Sequence, residues 1–176
     1  MLTIAKPEAG NYAPYAKMYL DLVPDDGNVL DFLNTQMTAM PTFVASLPVD
    51  QLQTPFAEGE WTIKEILVHI TDTERIYSYR ALRFSRNDET PLPGFDQDAF
   101  VVASGANDRS IDDILAEFMA VRSATLALYT SFPADVITKA GIASEHRLSV
   151  QAIVYITAGH VEHHLASIRT NYLGLV

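Results

Sequence analysis

Histidines carry the strongest chemical signal in the sequence. His160 and His164 stand four residues apart in a segment with helical periodicity, and His69 lies in a second such segment. Side chains four residues apart project from one face of a helix in similar directions. Three neutral imidazoles can bind a divalent transition metal and leave other coordination positions open for water or substrate. The spacing therefore predicts a three-histidine metal site, provided that the two helices meet.

The other two histidines fit this site less well. His163 points about 100° around the helix from His164, toward a neighbouring helix or the solvent. His146 lies in the connection before the last helix, and we expect it on the surface. His69 stands at the edge of its apolar stripe, which suits a ligand between two helices and also an ordinary half-buried histidine. A metal-free core, in which the imidazoles hydrogen-bond to other groups, is the alternative.

A second polar pair falls within the apolar stripes. Glu74 and Arg122 each lie about 12 residues into their predicted helices. Charged side chains are rarely buried without a partner. If the two helices run parallel, we expect the side chains to meet as a buried ion pair. The functional alternative is that Arg122 binds a substrate carboxylate.

Composition restricts the possible functions. With 176 residues, of which 48% are hydrophobic, the chain is expected to form one globular domain over residues 1–176. A net charge of −10 repels phosphates and anionic lipids, so we expect neither a nucleic-acid nor a membrane partner. Because there is no cysteine, any thiol in the chemistry must arrive with a substrate or cofactor. No signal peptide or apolar span is evident, which predicts a cytoplasmic protein.

Four segments with helical periodicity predict an all-α four-helix bundle. In the first, the apolar period continues past Pro41, so we expect a kink there rather than an end. In the second, Thr62 and Glu65 form a predicted capping box. Strand signals are weak throughout. The four segments span approximately residues 27–47, 62–85, 110–129 and 150–169.

The connection between the second and third predicted helices, residues 86–109, is much longer than a simple bundle turn. Its length permits a crossover and hence an up-down-down-up order, in which the second and fourth helices run antiparallel. That order brings His69 to within about one turn of the level of His160 and His164. The connection could also act as a lid over the site, an idea that rests on its length alone.

Four motifs follow one another along the chain: residues 61–75 (Trp-Thr-Ile-Lys-Glu-Ile-Leu-Val-His-Ile-Thr-Asp-Thr-Glu-Arg), 79–83, 90–98 and 158–165. In this order they resemble the DinB/YfiT-like metalloenzyme superfamily. The resemblance implies an up-down-down-up four-helix bundle that is often homodimeric. It also implies a divalent metal, nickel or zinc, held by His69, His160 and His164. Some members of that family transfer low-molecular-weight thiols to electrophiles.

From the residues and the resemblance together, we expect a metal-dependent enzyme that acts on a small-molecule substrate and transfers a low-molecular-weight thiol to an electrophile. The alternatives are a metal-dependent hydrolase and a non-catalytic metal-binding stress protein. Arg80, three turns beyond His69, is a candidate to bind an anionic substrate group. Asp72, Asp96 and Asp98 are candidates for proton transfer, although solvated carboxylates are common in such positions.

Overall fold

The computed structural model describes residues 2–175, which are mostly helical. Four long helices, α2, α3, α5 and α6, agree with the four predicted segments to within a few residues, so the predicted helical fold is confirmed at this level. None of the described helices is long and apolar enough to span a membrane. The helices are α1 (Lys17–Leu20), α2 (Val29–Ala45), α3 (Ile63–Ser85), α4 (Gln97–Ala103), α5 (Ile111–Thr130) and α6 (Val150–Ser167), and the strands are β1 (Ala140–Ala143) and β2 (His146–Ser149).

Helix α3 begins at the predicted capping box. The Thr62 hydroxyl accepts a hydrogen bond from the backbone N–H of Glu65, and the Glu65 carboxylate accepts one from the backbone N–H of Thr62. Ser110 and Ser149 cap α5 and α6 in the same way with their hydroxyls. Each cap satisfies a backbone donor that has no partner within its own helix. These caps explain why the predicted helix starts agree with the structure.

Helix α2 continues through Pro41 to Ala45. Met40 and Val44 are buried on either side of the proline, so apolar packing offsets the backbone hydrogen bond that proline cannot donate. Gln36 is also buried on this face, which the apolar pattern did not predict. Its amide donates to the Ala158 carbonyl at 2.9 Å, and this bond satisfies the buried polar group.

A hairpin formed by β1 and β2 was missing from the sequence prediction. The strands pair antiparallel from Ala140 opposite Ser149 to Ala143 opposite His146. Ser144 and Glu145 connect them with φ values of 50° and 67°. Two-residue turns with positive φ at both positions usually contain asparagine or glycine. The sequence Ser-Glu therefore gave no turn signal.

The long connection between α3 and α5 is present, but it is partly ordered into α4 and a 3-10 turn at Ala106–Asp108. It also docks against the hairpin. The backbone N–H of Leu92 donates to Ile142 O at 2.9 Å, and Ser144 N–H donates to Leu92 O at 3.0 Å. The hairpin therefore fixes one end of the connection beside the helices.

Helix α3 packs against both α5 and α6, while α1 packs against α6. The apolar core consists of two clusters of buried side chains. Ile153 and Tyr129 belong to the first, and Ile70 and Phe118 belong to the second. Packing of α3 on α6 is what brings the histidine-bearing faces of these two helices together.

Candidate metal centre

Three histidines from α3 and α6 converge, as their spacing predicted. The Nε2 atom of His160 lies 3.1 Å from the Nε2 atoms of both His69 and His164. One ring nitrogen from each histidine lies within 4.8 Å of the others. His69 and His160 are buried and His164 is half-buried. Of the two alternatives for His69, the structure agrees with a position between two helices: the residue is 4% exposed, and Trp61 packs against its ring with the centroids 4.7 Å apart.

The nitrogen atoms in this cluster cannot satisfy one another. A neutral imidazole nitrogen carries either one proton or one lone pair in the ring plane. Nε2 of His160 can therefore form a good hydrogen bond with only one of its two Nε2 neighbours. A cation among the three rings would accept a lone pair from each of them. The donor set thus fits a divalent transition metal, for which imidazole is a common ligand.

The environment keeps these imidazoles neutral. Burial lowers the pKa of His69 to about 4 and that of His164 to about 3. Burial also lowers the pKa of His160 well below its usual value, and the neighbouring imidazoles contribute to the same shift. The neutral form is the one that binds metals. At neutral pH the three rings are therefore ready to act as ligands.

Gly159 allows the N-terminal segment to approach the site. A Cβ atom at this position would lie 2.0 Å from the carbonyl oxygen of Tyr19. The close approach places the Tyr19 ring edge-on to His160, and also to His163, with centroid distances of 5.4 Å. A glycine inside a helix costs about 1 kcal/mol relative to alanine. Here that cost is offset by the contact between α1 and α6.

Two cavities border the histidine cluster on different sides. The first has a volume of about 150 Å³ and is lined by His69 and His160. We call it the Arg80 cavity, and its other lining residues include Tyr15, Tyr19, Thr73, Tyr77, Arg80 and Gln97. The second has a volume of about 290 Å³ and is lined by His164. We call it the Asp98 cavity, and its other lining residues include Glu60, Trp61, Asp98, His163 and Tyr172.

The structure separates the four other predicted site residues. Arg80 lines the first cavity and Asp98 the second. Asp96 instead caps α4, where its carboxylate accepts hydrogen bonds from two backbone N–H groups. Asp72 lines neither cavity and accepts a hydrogen bond from Arg75 at 3.1 Å. Its solvent-facing ion pair gives no support to the predicted role in proton transfer.

His163 and His146 lie where the sequence predicted. His163 is half-buried and is not part of the three-nitrogen cluster. It lines the Asp98 cavity next to His164. His146 is exposed on β2. Neither ring is placed to complete the cluster.

Sequence reasoning missed the aromatic and hydroxyl groups around the Arg80 cavity. Tyr15 and Tyr19 come from a segment without a long periodic pattern, so nothing pointed to their position. For Thr73, the helical pattern indicated only that it lies on the same helix face as His69. Gly159 was the one available signal, because a glycine in a helical pattern can mark a close backbone approach.

A family model described as the DinB superfamily matches residues 33–168. The chain belongs to the DinB superfamily. All three clustered histidines of this DinB chain lie inside the matched region, whereas Tyr15 and Tyr19 precede it.

Two relatives of this DinB chain cover most of its length. A protein of Oceanobacillus iheyensis named "putative metal-dependent hydrolase" is 24% identical over 139 residues, which are 78% of this chain and 79% of the relative. YfiT from Bacillus subtilis is described as a probable metal-dependent hydrolase with an unusual four-helix bundle topology. Its structure matches with a TM-score of 0.71 and 17% identity, over 98% of this chain and 95% of YfiT. The match to YfiT shows that the two proteins share a fold.

Proposed function

We propose that this DinB-superfamily protein is a metal-dependent hydrolase of a small-molecule substrate. The observation that carries the proposal is the convergence of three neutral imidazole nitrogens, from His69, His160 and His164, beside two cavities. The names of the two relatives support hydrolysis. Of our expectations, the hydrolase alternative therefore has better support than the transfer of a low-molecular-weight thiol.

An enzyme is favoured over a non-catalytic metal-binding protein by the openness of the cluster. Among residues 2–175, the cluster contains the three histidines and no carboxylate. A structural metal site is usually closed by a fourth protein ligand, whereas a catalytic site keeps a position for water or substrate. The adjoining cavities supply the room that a substrate needs.

In this mechanism His69, His160 and His164 hold the metal. A bound divalent metal lowers the pKa of water and polarises a carbonyl or phosphoryl oxygen, which is the chemistry that hydrolysis needs. Asp98 lines the cavity beside His164, so we assign to it the acceptance and return of a proton. Trp61 packs on His69 and limits the access of bulk water to that ring.

The up-down-down-up order also belongs to the proposal. Along the contacts between α3 and α5, the residue numbers of both helices increase together, from Glu74 with Arg122 to Ser78 with Thr125. This order supports parallel helices. Between α3 and α6 the residue numbers change in opposite directions. The carbonyl of Trp61 accepts a hydrogen bond from the Tyr172 hydroxyl, whereas His69, later in the sequence, contacts His160, which is earlier than Tyr172. That order supports antiparallel helices.

The experiment is an activity screen of protein purified without a metal-affinity tag. Metal-free protein is compared with protein loaded with zinc or nickel, on panels of esters, amides and phosphate esters. A parallel panel offers low-molecular-weight thiols with electrophiles. We expect metal-dependent hydrolysis that falls at least about tenfold in Asp98→Asn and is lost in His160→Ala. Metal-dependent turnover of thiols alone would overturn the proposal.

The predicted homodimer and the choice of nickel or zinc are further parts of the proposal. Elemental analysis of the tag-free protein identifies the metal that it carries. Sedimentation velocity at several concentrations gives the oligomeric state. A monomer throughout the concentration range would contradict the homodimer.

A further inference from the structure

Two arginines are buried in the described chain, and they differ in how their charge is balanced. Arg122 pairs with Glu74 at 2.8 Å. Arg80 is 6% exposed, yet among residues 2–175 no carboxylate lies within 4.0 Å of it. A buried charge without a counter-charge is unfavourable. In a protein with a net charge of −10, an arginine kept apart from acids is typical of a site for an anionic ligand.

Arg80 is held in place by neutral groups. Its Nη2 atom donates to the carbonyl of Pro93 and to the hydroxyl of Ser144, both at 3.0 Å. These acceptors come from the α3–α5 connection and from the hairpin turn, so both segments position the guanidinium. Both of the hydrogen bonds that Arg80 forms with described residues come from Nη2, which leaves its Nε and Nη1 N–H groups unused. They are available to a ligand in the Arg80 cavity.

A second polar group in this cavity also lacks a partner. The Thr73 hydroxyl is buried, with a residue exposure of 4%, and it has no hydrogen-bond partner among residues 2–175. Thr73 lines the cavity together with Arg80, His69 and His160. An unsatisfied buried hydroxyl is unfavourable unless a ligand or water meets it. Arg80 and Thr73 are therefore two polar residues, lining one cavity, whose donors a ligand with oxygen acceptors would satisfy.

The cavity limits the size of that ligand. Its volume of about 150 Å³ corresponds to roughly five water molecules. His69 and His160 line the same space, so a ligand held by Arg80 extends toward the proposed metal ligands. Arg80 starts about 16 Å along α3 from His69. Both side chains lean toward the N-terminus, and the arginine side chain shortens the gap because it is the longer of the two.

We infer, on the basis of the proposed hydrolase function, that Arg80 binds an anionic oxygen group of the substrate, a carboxylate or a phosphate monoester. The substrates are then small acids whose ester or amide bond lies several bonds from the anionic group. Water is added across that bond at the histidines, giving an acid and an alcohol or amine. The anionic group itself is unchanged and serves for recognition.

The test measures anion binding without catalysis. Fluorine NMR line widths are titrated with trifluoroacetate, with monofluorophosphate and with neutral trifluoroacetamide, on metal-free protein. We expect the metal-free protein to bind at least one anion and to bind trifluoroacetamide at least about tenfold more weakly. Tighter binding of trifluoroacetate or of monofluorophosphate distinguishes a carboxylate from a phosphate group.

Variants assign the binding to Arg80. Arg80→Met is expected to lower anion affinity about tenfold or more, whereas Arg86→Met, which removes an exposed charge, leaves it unchanged. Arg80→Lys keeps the charge and should retain a preference for anions. If Arg80→Met does not fold, the comparison of anion with amide in the unmodified protein still decides. Equal binding of anion and amide, or equal affinity in Arg80→Met, would overturn the inference. Because the metal-free protein is used, loss of hydrolysis alone would count only against the proposed function.

Discussion

The guanidinium of Arg122 and the carboxylate of Glu74 form a two-pronged ion pair in the protein interior. Nε and Nη2 of Arg122 each donate to one carboxylate oxygen at 2.8 Å. Neither side chain exposes more than 2% of its surface. Nη1 donates to the carbonyl of Leu33 at 2.9 Å and to the amide oxygen of Gln36 at 3.2 Å. The predicted pair is confirmed, and it links α2, α3 and α5.

Replacing one member of this pair should destabilise the fold strongly. Arg122→Met leaves the Glu74 carboxylate buried without its counter-charge, and we expect a loss of about 3–5 kcal/mol in the free energy of unfolding. Urea denaturation followed by circular dichroism measures the change. The double variant Glu74→Leu with Arg122→Met should lose less than Arg122→Met alone. A loss below about 1 kcal/mol in the single variant contradicts a strongly coupled pair.

Metal content should distinguish neighbouring histidines. His69→Ala, His160→Ala and His164→Ala each remove a nitrogen from the cluster, so we expect each to lose most of the bound metal. His163→Ala is the matched control, because its ring lies outside the cluster and metal should remain. Elemental analysis of tag-free protein provides the measurement. Equal loss in the His163 and His164 variants would show that the ligand set is wrong.

Adding metal should stabilise the folded protein. A ligand that binds only the folded state raises the free energy of unfolding by about 2.7 kcal/mol at 100 times its dissociation constant. We expect zinc or nickel to raise the melting temperature of metal-free protein, as recorded by differential scanning calorimetry. His160→Ala should show no such increase. An equal increase in that variant would place the binding elsewhere on the protein.

The sign of the change in stability caused by Gly159→Ala tests the close contact between α1 and α6. In an unhindered helix this change stabilises a protein by about 0.4–1 kcal/mol. Here the new methyl group would lie 2.0 Å from the Tyr19 carbonyl oxygen, so we expect a loss of about 1–3 kcal/mol. Thermal unfolding gives the sign, and metal titration shows whether the shift of Tyr19 also weakens the site. Stabilisation by the substitution would mean that the close contact between α1 and α6 is absent in solution.

The long helices could be predicted because pattern and caps agree. Apolar residues recur with the helical period on each, and Thr62, Ser110 and Ser149 mark three of the helix starts. The convergence of His160 and His164 followed from their spacing alone. The spacing did not predict how deeply His69 is buried, because Trp61, which packs against its ring, comes from the segment before α3.

The surroundings of the site could not be predicted from local patterns. The hairpin turn at Ser144 has an unusual sequence for its backbone conformation. Without the hairpin there was no reason to expect that Ser144 would hold Arg80. Asp72 was a candidate for proton transfer, but its carboxylate pairs with Arg75 and lines neither cavity beside the histidines. The helical periodicity of apolar residues gives no information about such long-range and competing contacts.

Tyr15 and Tyr19 have a practical consequence for anyone who shortens the protein. A fragment beginning at Leu33, where the family match begins, would retain every imidazole of the cluster. It would lack both phenol rings and leave the Arg80 side of the site open to bulk water. Under the proposed function, the substrate selectivity of such a fragment would therefore differ from that of the full chain.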